Sequence, residues 1–213
     1  MSKSKTTQGV IGIDEVGRGP LAGPVTLCAV YLENEEMVKS DIFQNIIRDS
    51  KKISKPSRYN IYSIIRENRY LKSRIIYAIA SRSAEHIDKY GINKSVSQCI
   101  RSCVNELRKK GIPINELKIN LDAGLVVPIK ELKQESFIKG DEKYTEIALA
   151  SILAKETRDS YMKKLSKKHP EYFWDKNVGY ATKKHREMIK KYGITKYHRK
   201  LYLKAFELFD KAE

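Results

Sequence analysis

An apolar run that ends in two adjacent acidic residues and a glycine-rich loop constrains this chain more than any other feature. The run Val10–Ile13 is followed directly by Asp14 and Glu15, and then by the segment GRGPLAGP over residues 17–24. The run predicts a buried strand that ends near Asp14. Successive strand side chains face opposite ways, so both carboxylates serve one site only where the strand ends or twists, as the following glycines permit. This arrangement suits a metal ion next to a phosphate.

The charge of the chain indicates a polyanionic partner. Its 213 residues contain 42 Lys+Arg and 26 Asp+Glu, a formal net charge of +16. The excess is uneven, with nine basic and two acidic residues over 48–74, and seventeen and eight over 155–213. Such a surface favours nucleic acid, while a lysine-rich composition without function is the alternative. The length is sufficient for one domain with a full core.

The cysteines and the apolar stretches indicate a reduced compartment and no membrane. The chain has an odd number of cysteines, and none of them forms a CxxC pair: Cys28, Cys99 and Cys103. We therefore expect no disulfide framework. Cys99 and Cys103 lie four apart on a predicted helix, which we interpret as core packing. No uninterrupted apolar stretch approaches the ~20 residues of a membrane span, and no signal-peptide pattern is found near the start. We therefore expect a cytoplasmic protein.

Hydrophobic periodicity predicts an α/β domain. It predicts strands over residues 9–14, 24–32, 74–80 and 117–122 and helices over 57–69, 93–110 and 144–165, followed by a basic, mainly helical segment. We expect one domain over residues 1–213, with a catalytic α/β core over 9–165 and a helical C-terminal region over 166–213.

Two further acidic residues lie at the ends of predicted elements. Asp122 ends a strand before Ala123-Gly124, and Asp141 precedes the long third helix. Taken alone, Asp141 is equally well explained as a helix N-cap, and Asp122 as the start of a turn. The pair Asp14-Glu15 has no comparable structural explanation.

Together these four carboxylates predict a divalent metal centre. Gathered at one sheet edge, they would repel and raise one another's pKa unless cations neutralised them. Ligands that are all oxygen favour Mg²⁺ or Mn²⁺ over zinc. Two such ions about 3.5–4 Å apart can clamp a phosphodiester, one activating water and the other stabilising the leaving oxygen. The residues thus predict metal-dependent hydrolysis of a nucleic-acid backbone.

Six blocks of the sequence, in order, resemble ribonuclease HII, the type 2 ribonuclease H. They are IDEVGRGPLAG over residues 13–23, DSKKIS over 49–54, LDAG over 121–124, KGD over 139–141, ASILAK over 150–155 with TRD over 157–159, and GYAT over 179–182 with His185. The resemblance implies a ribonuclease H-like fold, with a mixed sheet flanked by helices and a helical C-terminal region. It implies cleavage of the RNA strand of RNA–DNA hybrids and incision 5′ to ribonucleotides embedded in duplex DNA, leaving 3′-hydroxyl and 5′-phosphate ends.

The resemblance also implies roles for individual residues. Asp14, Glu15, Asp122 and Asp141 fall on the four metal-binding carboxylates, which would hold Mg²⁺ or Mn²⁺, two ions during catalysis. The segment Gly17-Arg18-Gly19 falls on the loop that recognises the 2′-hydroxyl through backbone groups, the group that separates RNA from DNA. Tyr180 falls on the tyrosine that packs on the deoxyribose following the ribonucleotide.

Four basic residues lie in matching blocks and are candidates for phosphate contacts: Lys51, Lys52, Lys155 and Arg158. For Lys155 and Arg158 the alternative is surface solvation or an ion pair with Glu156 or Asp159. We expect His185 to pack or hydrogen-bond near Tyr180, and we expect Trp174 to pack in the core. A monomer would be sufficient, and contact of the tail over residues 201–213 with a replication clamp is an open question.

Two positions depart from the family's pattern. Ala123 stands where many relatives pass directly from aspartate to glycine, and Glu142 follows Asp141 in place of a proline-containing turn. Glu142 adds a carboxylate, so whether it or Asp141 reaches the metal stays open. Neither change removes a proposed ligand.

Three other interpretations fit less well. Ribonuclease HIII has an extra N-terminal domain and another residue between the loop glycines, so Arg18 and the eight leading residues count against it. A non-catalytic nucleic-acid-binding protein of this fold would tend to lose at least one of the four carboxylates. A dinucleotide-binding oxidoreductase needs GxGxxG spacing, which Gly17, Gly19 and Gly23 do not provide.

Overall fold

The computed structural model describes residues 9–33, 54–68 and 74–210, the last five of these without their side chains. The elements in chain order are β1 (Val10–Val16), β2 (Val25–Leu32), α1 (Lys55–Glu67), β3 (Ile75–Arg82), α2 (Ala84–Tyr90), α3 (Ile92–Lys109), β4 (Lys118–Asp122), β5 (Gln134–Phe137), α4 (Thr145–Lys168), α5 (Trp174–Asn177), α6 (Lys183–Tyr192) and α7 (Lys200–Asp210). Single 3₁₀ turns span Ile114–Glu116, Gly140–Glu142 and Pro170–Tyr172.

One mixed sheet organises the described part of the chain, with the strand order β3-β2-β1-β4-β5. β2 pairs antiparallel with both β1 and β3, whereas β4 pairs parallel with both β1 and β5. The carboxyl ends of β1, β4 and β5 therefore meet at one edge of the sheet, which is where open α/β sheets place their ligands.

Each face of the sheet is covered by a long helix. The apolar face predicted for α3 is buried against one side of the sheet, through Val96, Ile100, Cys103, Val104 and Leu107. The first half of α4 covers the other side, and it lies so close to β1 that a Cβ on Gly12 would meet the backbone of Glu146 at 2.2 Å. Only a glycine at this position lets helix and strand approach so closely.

A separate apolar cluster joins the C-terminal region to the α/β part of the fold. Its buried members are Ala22, Met162, Leu165, Tyr172 and Trp174. Because Ala22 belongs to the glycine-rich loop and the others to α4 and the segments after it, this cluster anchors the loop to the helical region.

The predicted fold class is confirmed, and the long predicted elements lie within a few residues of their observed bounds. Sequence reasoning missed α2 and β5. β5 is a four-residue edge strand whose middle residues, Glu135 and Ser136, are exposed, so it has no apolar run to mark it. α2 has only seven residues and begins after Ser83, whose hydroxyl accepts the N–H of His86 at 3.2 Å.

The expectations for cysteines and for Trp174 are confirmed. All three cysteines are free and buried, and Trp174 is fully buried. Within residues 9–33, 54–68 and 74–210, no helix has the length and apolar character needed to span a membrane.

Candidate active site

The carboxylates of β1 and β4 meet where the parallel pairing between these strands stops. The last paired residues are Ile13 and Leu121, so Asp14 and Asp122 follow side by side at the open ends. On its other side β1 stays paired with β2 as far as Val16. The prediction that β1 ends near Asp14 is therefore right for its pairing with β4. It is wrong for its pairing with β2, which continues to Val16.

Strand alternation directs Asp14 and Glu15 to opposite faces of the sheet. Ile11 and Ile13 belong to the cluster under α3, so Asp14 faces α4, where the Ser151 hydroxyl hydrogen-bonds to its carboxylate. Burial, then the charge of Glu15, raises the pKa of Asp14 to about 8. Asp14 Oδ1 also accepts the backbone N–H of Glu15 at 2.8 Å, which limits this rise.

Glu15 stays within electrostatic reach of the same site. Burial and the charge of Asp122 raise its pKa, while Arg18 opposes the rise. The Arg18 guanidinium lies 3.5 Å from Glu15 Oε1 and donates to Asn93 Oδ1 at 2.7 Å. Asn93, in the first turn of α3, is a neighbour that sequence reasoning missed because it carries neither charge nor a motif.

Asp122 links the sheet edge to the turn that carries Asp141. Its Oδ1 accepts the backbone N–H of Gly140 at 2.8 Å. Burial, then Asp122, then Glu142 raise the pKa of Asp141. Asp122 is thus a charge neighbour common to Asp14, Glu15 and Asp141, and Glu142 acts on the site through Asp141.

The alternative that Asp141 caps the long helix is wrong. α4 begins at Thr145, the N-cap residue is Tyr144, and no side chain makes a capping hydrogen bond there. Asp141 instead lies in the 3₁₀ turn Gly140–Glu142. Its carboxylate therefore has no structural role at the start of the helix.

The donor set fits a hard divalent cation. Glu15 Oε2 is buried with no hydrogen-bond partner among the described residues, and the site offers carboxylate oxygens, which Mg²⁺ and Mn²⁺ prefer. Across the described part of the chain, no three acidic, His or Cys side chains converge tightly enough to hold an ion as they stand. Repulsion between like charges opposes closer approach without a cation.

The glycine-rich loop borders this edge, and its glycines differ in why they are needed. Gly17 has φ +91°, and a Cβ there would lie 2.4 Å from Arg158 Nε. Gly19 has no positive φ, and a Cβ there would meet nothing nearer than Tyr180 Cε1 at 3.9 Å. The packing of the protein thus explains Gly17 but not Gly19.

Arg158 lies beneath the loop, not on the surface. It is 1% exposed and donates to the carbonyls of Pro24 and Ala22 at 2.9 and 3.1 Å. The predicted phosphate contact does not agree with this burial, and neither does surface solvation. The alternative of an ion pair with Glu156 or Asp159 is met by Arg58, which pairs with both carboxylates. Burial lowers the pKa of Arg158, and the charge of Asp159 acts on Arg158 only by opposing this lowering.

Arg199 is a second buried arginine under the same loop, and sequence reasoning missed it. It is fully buried and donates to the carbonyls of Gly17, Arg18 and Gly23. Burial, more than any other cause, lowers its pKa to about 10. A single arginine in a segment rich in basic residues carries no sequence signal that would separate it from its exposed neighbours.

Tyr180 is 45% exposed, and its Cε1 atom lies 3.9 Å from the position that a Cβ on Gly19 would take. The preceding residue, Gly179, accepts the backbone N–H groups of Leu21 and Ala22 at 2.8 and 3.2 Å. The turn that carries Tyr180 is therefore fixed directly to the glycine-rich loop.

A buried histidine pair supports this turn from below. His185 Nδ1 donates to the Tyr180 carbonyl at 2.8 Å, and its Nε2 accepts the Trp174 N–H at 3.1 Å. His198 Nε2 lies 3.3 Å from the same His185 nitrogen. Burial lowers the pKa of both histidines, that of His198 to about 4. The expected hydrogen-bonding role of His185 near Tyr180 is confirmed.

The predicted phosphate-binding lysines are only partly described. Lys155 is exposed on α4, which is compatible with a contact to substrate. Lys51 and Lys52 lie outside the described residues.

Comparison with known proteins identifies the family of this chain. The profile of the family described as Ribonuclease HII matches residues 11–206. Ribonuclease HII of Staphylococcus saprophyticus is 41% identical over 91% of this chain and 68% of its own length. Ribonuclease HII of Pelagibacter ubique is 38% identical over 90% of this chain and 94% of its own length.

Solved structures share the fold at lower identity. Ribonuclease H2 of Pyrococcus horikoshii has a TM-score of 0.69 at 22% identity, covering 96% of this chain and 98% of that one. Ribonuclease HII of Archaeoglobus fulgidus, in complex with PCNA, has a TM-score of 0.66 at 22% identity, covering 91% and 94%. Because the family profile matches most of the chain and the two relatives are 41% and 38% identical to it, this chain belongs to the ribonuclease HII family and is a ribonuclease H hydrolase.

Proposed function

We propose that the chain hydrolyses the RNA strand of RNA–DNA hybrids and also incises duplex DNA 5′ to an embedded ribonucleotide, leaving 3′-hydroxyl and 5′-phosphate ends. Family membership supports endoribonuclease activity on hybrids. The observation that carries the finer proposal is the placement of Asp122. It is the common charge neighbour of Asp14, Glu15 and Asp141, at a sheet edge bordered by the glycine-rich loop.

In this proposal the four carboxylates Asp14, Glu15, Asp122 and Asp141 hold Mg²⁺ or Mn²⁺. When bound, two such ions would activate a water and stabilise the leaving 3′ oxygen. A structural neighbour, ribonuclease HIII named Bst-RNase HIII, is described in complex with Mn²⁺. The chain's own contribution is to orient the ligands, through the Ser151 hydroxyl on Asp14 and the Gly140 N–H on Asp122.

Substrate recognition is assigned to the loop and to the turn beside it. The backbone of Gly17-Arg18-Gly19 would contact the 2′-hydroxyl, since Gly19 has no side chain and its only close neighbour among the described residues is the half-exposed Tyr180. Tyr180 would pack on the deoxyribose that follows. Lys155, and Lys51 outside the described residues, would contact phosphates, as exposed lysines on nucleic-acid-binding surfaces do.

The proposal extends to the setting of this activity. The protein would act as a monomer in the cytoplasm, where its three free, buried cysteines stay reduced. Ribonuclease HII of Archaeoglobus fulgidus is described in complex with PCNA. By analogy, the tail over residues 201–213 is a candidate for contact with a replication clamp.

The test uses a 5′-labelled DNA duplex that contains one ribonucleotide, with Mg²⁺, Mn²⁺ or EDTA. We expect metal-dependent incision only 5′ to the ribonucleotide, no incision of an all-DNA duplex, and near-complete loss with Asp14→Asn. The variant should still bind the duplex, because the basic surface is unchanged. Tight binding without incision by the wild type in either metal would instead support the non-catalytic interpretation.

A further inference from the structure

Two carbonyl groups of the glycine-rich loop point into the protein. Arg199 donates from Nη2 to the Gly17 carbonyl at 2.6 Å and from Nη1 to the Arg18 carbonyl at 2.8 Å. The Tyr202 hydroxyl donates to the same Arg18 carbonyl at 2.8 Å. The orientation of two consecutive peptide groups is therefore set from inside the fold.

The inward carbonyls determine where the next N–H groups point. In a trans peptide the C=O and the following N–H point in opposite directions, and the described residues contain no cis peptide. The N–H groups of Arg18 and Gly19 are thus directed away from Arg199, toward the outer side of the loop. Among the described residues, no backbone carbonyl accepts either N–H.

The backbone around Arg199 is itself held in place. Its N–H donates to the Leu21 carbonyl at 2.7 Å. The next two N–H groups, of Lys200 and Leu201, donate to the Asp88 carboxylate at 2.9 and 3.1 Å. Asp88 lies on α2, so this helix fixes the start of α7 and with it the position of the guanidinium.

Burying the charge of Arg199 under the loop is energetically unfavourable. A buried cation is unfavourable unless it is paired, yet the hydrogen bonds of Arg199 within the described residues all go to neutral carbonyls. Arg58 shows the usual solution, because it pairs with the carboxylates of Glu156 and Asp159. The loop is held by a costly group whose rigid fork of donors reaches several carbonyls at once.

We propose that Arg199, assisted by Tyr202, is a positioning residue for ribonucleotide discrimination. By fixing the carbonyls of Gly17 and Arg18 inward, it presents the N–H groups of Arg18 and Gly19 as a rigid donor pair for the 2′-hydroxyl. This inference rests on the proposed function, in which the same loop recognises that hydroxyl.

The test measures binding of two duplexes that differ only in one sugar, with Ca²⁺ in place of Mg²⁺ to suppress cleavage. The discrimination ratio is the Kd for the all-DNA duplex divided by the Kd for the duplex with one ribonucleotide. Arg199→Lys, whose single ammonium cannot span the same carbonyls, should lower this ratio about tenfold, and Tyr202→Phe about fivefold, as expected for lost hydrogen bonds. The Kd for all-DNA duplex should stay within about twofold, because phosphate contacts dominate it.

Arg58→Lys is the matched control, since it removes a partly buried guanidinium that does not touch the loop. It should lower the melting temperature and leave the ratio unchanged. Should Arg199→Lys fail to fold, Tyr202→Phe, which keeps the ring, decides the question. Suppose that the wild-type ratio is above one. If both variants keep that ratio, or if they lose affinity equally for both duplexes, this inference is overturned while the proposed function stands. A wild-type ratio of one would overturn the proposed recognition by the loop as well.

Discussion

Gly17 and Gly19 stand two residues apart in the same loop, yet an added methyl group should have opposite effects at the two positions. At Gly17 a Cβ would lie 2.4 Å from Arg158 Nε and 2.8 Å from the Pro24 carbonyl, at φ +91°. The backbone strain costs about 1–3 kcal/mol and the overpacking about 1–3 kcal/mol. We expect Gly17→Ala to lower the unfolding free energy by roughly 2–6 kcal/mol, which is roughly 4–24 °C in Tm.

At Gly19 the same substitution makes only an ordinary van der Waals contact, with Tyr180 Cε1 3.9 Å away. Gly19→Ala should therefore change the unfolding free energy by less than about 1 kcal/mol. Its incision rate should fall by about 100-fold, because the methyl group displaces the sugar from the loop and misplacement of about 1 Å is that costly. Urea unfolding and kcat/KM on a duplex with one ribonucleotide measure the two effects separately.

Gly111→Ala is the control for the backbone contribution. Gly111 has φ +84° at the end of α3, and a Cβ there meets nothing within 4 Å. It should lose about 1–2 kcal/mol of stability and keep full activity. Wild-type incision by Gly19→Ala would refute the idea that this position is kept open for substrate. A Gly17→Ala protein no less stable than Gly111→Ala would refute the packing argument.

Three further outcomes are expected. Tyr180→Ala should reduce incision at a single embedded ribonucleotide more than cleavage of a uniform hybrid, with little change in Tm because the ring is 45% exposed; equal losses on the two substrates would contradict a junction-sensing role. Burial raises the pKa of Asp14 to about 8, so a bound cation must displace a proton, and Mg²⁺ affinity should rise up to about tenfold per pH unit between pH 6 and 8. Calorimetry in two buffers would show this proton release, and a flat affinity would contradict it. His198, whose pKa is lowered to about 4, stays neutral in the fold while the unfolded chain takes up a proton below about pH 6.5. The unfolding free energy of the wild type relative to His198→Asn should therefore fall by roughly 3 kcal/mol from pH 7 to pH 4, and a constant difference would contradict the assignment.

Local sequence patterns determined the parts of this protein that depend on neighbouring residues. The apolar face of α3 and the run before Asp14 follow the periods of helix and strand, so both elements could be predicted. The pair Asp14-Glu15 stood out because it ends an apolar run where no structural role explains it, whereas Asp122 and Asp141 gained weight only together with that pair. The glycine-rich loop stood out because its glycines follow the acidic pair closely.

Only the tertiary structure decided how the site is supported. Arg199 bonds to the Gly17 carbonyl across 182 positions of sequence, and the buried Arg158 looked like a surface residue of a basic helix. The tertiary structure also decided that Asp141 lies in a turn instead of capping α4. It decided as well that β1 stops pairing with β4 at Ile13 while its pairing with β2 continues. Burial and hydrogen-bond partners depend on contacts between distant segments, and local periodicity carries no information about which segments meet.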